Sequence, residues 1–161
     1  MLLALYPGTL YLPSDPLFFA SIKNPYILRC EDGLLVDGND RGLSKSIFKS
    51  CAARDRFGWE MPCCDKSWLT ATPVNPLNVG QYVNNEDGGV HKHNVIYQEV
   101  RLPLPTSAQQ GFPLQFWRFL PNVWYNPSNN AVGLRLVPLV AIRDIEEGEE
   151  LFSSYFTIVH K

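Results

Sequence analysis

The chain has 161 residues, of which 45% are hydrophobic and 19% charged, a balance typical of one globular domain and not of a disordered protein. Thirteen prolines and eleven glycines are scattered along it, which argues against a helical bundle and favours many short elements joined by turns. The formal net charge of −2 gives no general attraction to nucleic acid or anionic lipid, because such binding relies on clustered Lys and Arg.

In the first half of the chain, the pattern predicts short strands and two helices. Residues 2–12 predict two strands on either side of a Pro-Gly bend, and residues 14–22 predict a short helix with an early proline. Residues 26–37 predict a hairpin that turns at Asp32-Gly33. Ser44 is the predicted N-cap of a helix over residues 45–54, whereas residues 55–78 give no clear pattern.

The second half of the chain predicts further strands separated by polar turns. Residues 79–83 predict a short strand that ends in the turn 84–89, and residues 94–102 alternate like one half-buried strand. Residues 114–120 predict one or two helical turns, and residues 122–133 predict turns. Residues 136–142 predict a strand, followed by a solvated acidic turn at Gly148 and an apolar segment that reaches Tyr155 and Phe156. By itself, this last stretch is typical of a hairpin.

The cysteines and the N-terminus bear on the cellular compartment. The four cysteines contain no Cys-x-x-Cys pair, and the adjacent Cys63 and Cys64 are poorly placed to clamp one zinc ion. The opening apolar run is too short for a signal peptide, and no stretch approaches the length of a transmembrane helix. We therefore expect free thiols and an intracellular protein, nuclear or cytoplasmic, that does not bind membranes or nucleic acid directly.

Two stretches far apart in the sequence form a pattern together. The first is Tyr82-Val-Asn84-Asn85, and the second is Gly148-Glu-Glu-Leu151 followed by Tyr155. This pattern resembles the SET domain, the fold of S-adenosylmethionine-dependent protein lysine methyltransferases. The resemblance extends from about residue 5 to residue 159 and is also carried by residues 6–9, 38–42, 76–84, 94–98 and 152–158.

The resemblance implies a fold and a domain plan. The fold is mostly β with short helices (α+β), built of small β-sheets and a C-terminal pseudoknot that brings Asn84-Asn85 beside Tyr155. One SET-like domain would cover residues 1–161, with a variable insert over residues 14–76. The chain contains no Gly-x-Gly, a sequence that the family carries in an N-terminal strand pair, so we expect it to be N-terminally truncated relative to the family.

The resemblance also implies a cofactor, a substrate and a site. The cofactor is S-adenosyl-L-methionine, and the substrate is a protein or peptide bearing a lysine. Tyr155 is the implied catalytic residue, since its hydroxyl would face the reacting amine and methyl group. Asn84, Asn85, Tyr82 and Tyr155 would bind the cofactor, and Phe156 would line the substrate channel. Core packing is the alternative role for Tyr82 and Phe156.

The chemistry of methyl transfer explains why such a site contains no side-chain base. The amine must be neutral, and with a reference pKa near ~10.4 only on the order of one lysine in a thousand is neutral at pH 7. A desolvated channel and a neighbouring positive charge lower that pKa, so alignment is the main requirement. We assign no metal ion, because His91 and His93 lie in a polar loop without two further ligands.

The residues leave two other functions open. The family's usual Asn-His pair is Asn84-Asn85 here, and the chain lacks a Gly-x-Gly loop. A catalytically inactive SET-like module, or fragment, that binds peptides is therefore the alternative to an active methyltransferase. An unrelated β-rich interaction domain is the third possibility.

Overall fold

The computed structural model describes residues 1–57, 61–62, 64–87, 92–103 and 113–158, with the backbone alone at residues 56–57, 61–62, 114, 131 and 155–158. The strands are β1 (Leu2–Leu5), β2 (Gly8–Tyr11), β3 (Ile27–Arg29), β4 (Leu35–Asp37), β5 (Arg56–Phe57), β6 (Met61–Pro62), β7 (Asn84–Asn85), β8 (Val95–Tyr97), β9 (Val100–Leu102), β10 (Asn122–Trp124), β11 (Leu134–Leu136), β12 (Pro138–Ala141) and β13 (Phe152–Ile158). The α-helices are α1 (Phe18–Ser21), α2 (Gly42–Arg54) and α3 (Leu114–Trp117), and 3-10 helices cover Ser67–Leu69, Gly80–Tyr82 and Pro127–Val132.

The strands form several small sheets. A five-stranded sheet has the order β1-β12-β8-β13-β7, and a four-stranded sheet has the order β10-β2-β4-β3. β9 pairs with β11, and β5 pairs with β6. The predicted fold class, mostly β with short helices in an α+β arrangement, is confirmed, whereas the pseudoknot stays a prediction. No helix in the described part of the chain is long and apolar enough to cross a membrane.

Two clusters of buried side chains hold these sheets together. The larger cluster joins the two main sheets, with Leu10 and Val36 from one and Val95, Tyr97 and Leu139 from the other. The smaller cluster packs the buried face of α2 against the four-stranded sheet and the segment after β6, through Phe48, Cys51, Ala52, Trp68 and Val123. Burial of these apolar surfaces supplies the main favourable free energy of folding.

The C-terminal strand lies inside the five-stranded sheet. β13 runs parallel to β7 on one side and parallel to β8 on the other. β12 pairs antiparallel with β8, so β8 separates β12 from β13. The hairpin interpretation of residues 136–156 is therefore wrong, because each of the two strands finds its hydrogen-bonding partner in an earlier segment.

The structure confirms the predicted turn at Asp32-Gly33 and corrects several other predictions. Gly33 has a φ of 84°, as the predicted turn between β3 and β4 requires. α2 begins at Gly42 after the N-cap Arg41, so the prediction that Ser44 caps this helix is wrong. Ser44 is instead buried, and its hydroxyl accepts a 3.3 Å hydrogen bond from Asn24.

Two strand predictions fail because long-range contacts decide the local conformation. Residues 79–83 form the 3-10 helix Gly80–Tyr82 instead of a strand, and the following asparagines pair as β7 instead of turning. Residues 94–102 form β8 and β9, which belong to different sheets. The 3-10 helix lies so close to β1 that a Cβ on Gly80 would be 2.8 Å from the carbonyl oxygen of Leu5.

Gly80→Ala is expected to destabilise the protein. The new methyl group would also lie 2.7 Å from Leu139 Cδ1, and relieving contacts with backbone and core atoms costs about 1–3 kcal/mol. Denaturant unfolding measures the loss. Gly42→Asn is the control, since a Cβ there meets no atom within 4 Å and asparagine tolerates the φ of 54°. Equal stability of the Gly80→Ala and wild-type proteins contradicts the close packing.

Candidate functional site

The two asparagines lie beside the start of β13. Asn84 is opposite Phe152 and Asn85 is opposite Ser153 in the parallel pairing, and the backbone N–H of Glu86 extends it with a 2.9 Å bond to the Ser153 carbonyl. The backbone of β13 continues through residues 155 and 156. The side chains of Tyr155 and Phe156 lie outside the described residues, so their predicted roles are not tested.

Asn94 is the buried residue that fixes the start of β13. Its side chain is 1% exposed and donates hydrogen bonds to the Glu150 carbonyl at 2.9 Å and to Glu149 Oε1 at 3.1 Å. Its Oδ1 accepts a 2.9 Å bond from the Phe152 N–H, while its backbone N–H donates to the Phe152 carbonyl at 2.9 Å. Asn94 therefore uses both side-chain and backbone groups to hold the acidic turn against the sheet.

The acidic turn is mostly exposed, as predicted, and hydrogen bonds fix Glu149 within it. Glu149 accepts hydrogen bonds from Arg143, Asn94 and the backbone N–H of Glu146. The Arg143 hydrogen bond is the largest cause that lowers the pKa of Glu149 to about 2. Glu150 Oε1 accepts a 2.6 Å hydrogen bond from the Asn84 side chain. The acidic turn thus also positions one of the residues predicted to bind the cofactor.

A tyrosine-walled cavity of about 520 Å³ opens next to Asn84. Tyr6, Tyr26, Gln81 and Tyr82 contribute to its wall, together with β3. The exposed Tyr82 ring packs edge-to-face on Tyr26 at 6.3 Å, and its hydroxyl donates a 3.0 Å hydrogen bond to Asp40. Burial, and then the Asp40 carboxylate, raise the pKa of Tyr82. Tyr82 and Asn84 thus line one cavity.

The sequence prediction missed two tyrosines that connect this cavity to β13. Tyr6 donates a 2.9 Å hydrogen bond to the Tyr26 carbonyl, and its ring lies 6.1 Å from that of Tyr97. The Tyr97 hydroxyl in turn accepts a 3.2 Å hydrogen bond from Ser153. Both tyrosines lie in segments that carry the family resemblance, residues 6–9 and 94–98. This resemblance is the sequence feature that could have pointed to them. Their convergence depends on the pairing of β1, β12 and β8.

Two other polar clusters have structural explanations. The potential metal-ligand atoms of Cys30, Asp32 and Glu99 lie within 4.8 Å of one another, but the Arg135 guanidinium forms ion pairs with both carboxylates. Burial raises the pKa of the Cys30 thiol to about 12, which keeps it protonated. His93 lies in a loop, as predicted, and its Nδ1 is 2.8 Å from a Glu86 carboxylate oxygen. His91 and Cys63 lie outside the described residues.

Comparison with known proteins adds independent information. The chain is 49% identical over 156 residues to SET domain-containing protein 9 of Homo sapiens, covering 97% of this chain and 49% of that protein. The protein of the same name from Pongo abelii is also 49% identical over 156 residues, covering 97% of this chain and 54% of that protein. The chain thus spans about half the length of these relatives. No family model matches the chain, and no solved structure is significantly similar to it.

Glu149→Gln is expected to lower the Tm near neutral pH, with a difference that shrinks in acid. A carboxyl group whose folded-state pKa is depressed contributes stability above its unfolded-state pKa, near ~4.5, and loses it as pH falls through the folded-state value of about 2. Thermal melts of both proteins between neutral pH and the lowest pH at which they fold measure this convergence. Glu147→Gln removes an exposed carboxylate of the same turn and is the control. A Tm difference that grows in acid contradicts this role of Glu149.

Proposed function

We propose that the chain is a SET-domain, S-adenosylmethionine-dependent protein lysine methyltransferase, which transfers a methyl group to a lysine side chain of a protein substrate. Its 49% identity to SET domain-containing protein 9 supports the proposal. The observation that carries the proposal is the parallel pairing of β7 with β13. This pairing joins the Asn84-Asn85 motif to the strand that contains Tyr155, although about seventy residues separate them in the sequence.

The described residues fit a cofactor with adenine, ribose and amino acid groups. The cavity beside Asn84 has a volume of about 520 Å³, within the ~300–1,000 Å³ range of small-molecule sites. Asparagine amides both donate and accept hydrogen bonds, and the side chains of Asn84 and Asn85 are exposed next to β13. We assign Asn84, Asn85, Tyr82 and Tyr155 to holding S-adenosylmethionine, which would supply an electrophilic methyl group when bound.

The protein residues then act by desolvation and alignment. A lysine side chain that enters among the rings of Tyr6, Tyr26 and Tyr82 leaves water, which lowers its pKa and favours the neutral amine. The proton passes to solvent before the amine is enclosed, so no side-chain base is required. We assign the Tyr155 hydroxyl to accepting a hydrogen bond from the amine, which orients its lone pair, and Phe156 to the channel wall.

Peptide binding without methyl transfer is the second candidate function. β3 lies at the edge of its sheet among the described strands, and Ile27, Leu28 and Arg29 also line the cavity. An extended peptide can add to such an edge through backbone hydrogen bonds while its side chains enter the neighbouring cavity. This binding needs neither the cofactor nor the Tyr155 hydroxyl, which separates it experimentally from catalysis.

Methyl transfer and cofactor binding test the main proposal. Protein incubated with labelled S-adenosylmethionine and a lysine peptide library should methylate lysine, and Tyr155→Phe should lower kcat by about tenfold or more or change the number of methyl groups added. Asn84→Ala should weaken cofactor binding in calorimetry by about tenfold, the loss of one to two hydrogen bonds. Tyr125→Phe is the matched control, because Tyr125 stacks on Tyr11 at 4.9 Å, away from β7 and β13.

The outcomes distinguish the two candidate functions. No cofactor binding and no transfer, by this chain and by the full-length protein, rules out the methyltransferase. Peptide binding that is indifferent to S-adenosylmethionine and to Tyr155→Phe establishes the second candidate instead.

A further inference from the structure

The wall of the tyrosine-walled cavity contains a buried amide that has no partner in the described part of the chain. Gln81 lines this cavity and is only 6% exposed. Neither its Nε2 nor its Oε1 makes a hydrogen bond with a described residue. Burying an amide in this way is costly, because its hydrogen bonds to water are lost and none replaces them. A free donor and a free acceptor in a cavity wall therefore indicate a ligand that carries both kinds of group.

The neighbouring Tyr82 shows which way the Gln81 amide faces. Tyr82 also lines the cavity, and the pKa of its hydroxyl is raised by burial and then by Asp40, whereas Gln81 lowers it. The Gln81 amide thus lies near this hydroxyl, but the geometry between them does not make a hydrogen bond. The hydroxyl donates instead to Asp40 at 3.0 Å. The Gln81 amide therefore faces the cavity with both of its polar groups available.

Close backbone contacts on both sides fix the position of Gln81. On one side, a Cβ on Gly80 would lie 2.8 Å from the carbonyl oxygen of Leu5. On the other side, a Cβ on Gly38 would lie 3.1 Å from the Cβ of Gln81 itself. The segment that carries the amide is thus held between β1 and the residue after β4. Because this position is set before a ligand binds, little further ordering opposes binding.

The second part of the cavity wall, residues 25–29, brings the outer edge of β3 to the same cavity. The N–H of Gly38 donates to the Tyr26 carbonyl at 2.9 Å, so the polar backbone groups of Tyr26 face β4. Because these groups alternate in an antiparallel pair, those of Ile27 and Arg29 point away from β4. This spacing is what an extended peptide needs in order to add to a sheet edge through its backbone.

We propose that Gln81 is a specificity-determining residue that binds an amide group of an extended peptide lying along the outer edge of β3. The cavity is lined by residues 25–29 and 81–84, so a peptide that enters it contacts both segments. The Gln81 Nε2 donates to the carbonyl oxygen of the amide group, and its Oε1 accepts from the N–H. The amide group belongs either to the peptide backbone or to an Asn or Gln side chain. The inference rests on the proposed function in that the ligand is the peptide substrate, and it adds the residue that selects this substrate.

Adenine is the other ligand group that a glutamine amide binds through a donor and an acceptor together. It is the less favoured occupant here, because a nucleobase offers no row of backbone groups to the edge of β3. An extended peptide pairs with Ile27 and Arg29 and reaches Gln81 at the same time.

An oriented peptide library tests the proposal. Its members carry a fixed central lysine between random residues, the peptides retained by the immobilised protein are sequenced, and fluorescence anisotropy measures the affinity of the most enriched one. Gln81→Leu should weaken that affinity by about tenfold, the loss of one to two hydrogen bonds. If a side-chain amide is bound, the wild-type protein should enrich Asn or Gln at one position, and Gln81→Leu should lose this preference. If a backbone amide is bound, changing it to an ester should weaken binding to the wild-type protein and not to Gln81→Leu.

Thermal stability separates a binding role of Gln81 from a structural one. Gln81→Leu removes two buried polar groups that have no described partner, so its Tm should equal or exceed that of the wild-type protein. Gln115→Leu is the matched control, because it makes the same substitution at an exposed position on α3 outside the cavity wall, and it should leave peptide affinity unchanged. A lower Tm, or a failure to fold, shows that the Gln81 amide supports the fold and overturns the proposal.

The remaining outcomes also decide the matter. The proposal is overturned if the library yields no enriched peptide, or if the wild-type protein and Gln81→Leu give the same residue preferences and the same ester effects. It is overturned as well if calorimetry shows that Gln81→Leu weakens binding of S-adenosylmethionine, since the amide then binds the cofactor. Methylation of the retained peptides is measured separately. Selection of peptides through Gln81 without any methyl transfer contradicts the methyltransferase and supports this inference.

Discussion

The arrangement of the candidate site depends on one buried amide, that of Asn94. Burying an asparagine is costly unless its donors and acceptor are satisfied, and here they contact the acidic turn and the first residue of β13. Its backbone also bonds with Phe152 and Ile142. Asn94 directly precedes β8 and hydrogen-bonds to both the acidic turn and β13. The position of the C-terminal strand therefore follows from that of β8.

The position of β13 in turn relates the other parts of the site. Its parallel pairing sets Asn84 and Asn85 beside Phe152 and Ser153, and Glu150 holds the Asn84 side chain from the turn that precedes β13. The cavity next to Asn84 is completed by Tyr6, which directly follows β1, and by Tyr26, which directly precedes β3. A chain of local interactions thus connects the acidic turn to the cavity wall, and each step joins segments distant in sequence.

Features set by local chemistry were predictable from the sequence, and those set by distant partners were not. The hairpin of β3 and β4 follows from Asp32-Gly33, where glycine tolerates positive φ and the aspartate accepts the Leu34 N–H. The conformation at Gly80 depends instead on Leu5 and Leu139, which are far from it in the sequence. The family motif anticipated that Asn84 and Asn85 lie close to the last strand. The burial of Asn94 and the role of Glu149 required the folded chain, since an isolated acidic turn is solvated.

The position of β13 between β7 and β8 also has a kinetic consequence. The five-stranded sheet combines β1, from the first residues of the chain, with β7, β8, β12 and β13, so its pairings close long loops and the entropy of closing them is lost before the contacts form. During synthesis, β7 and one edge of β8 emerge well before the strand that fills the space between them. The nascent chain therefore presents unpaired backbone groups at this site for the interval in which residues 98–151 are translated, and these groups are open to incorrect pairing until β13 is made.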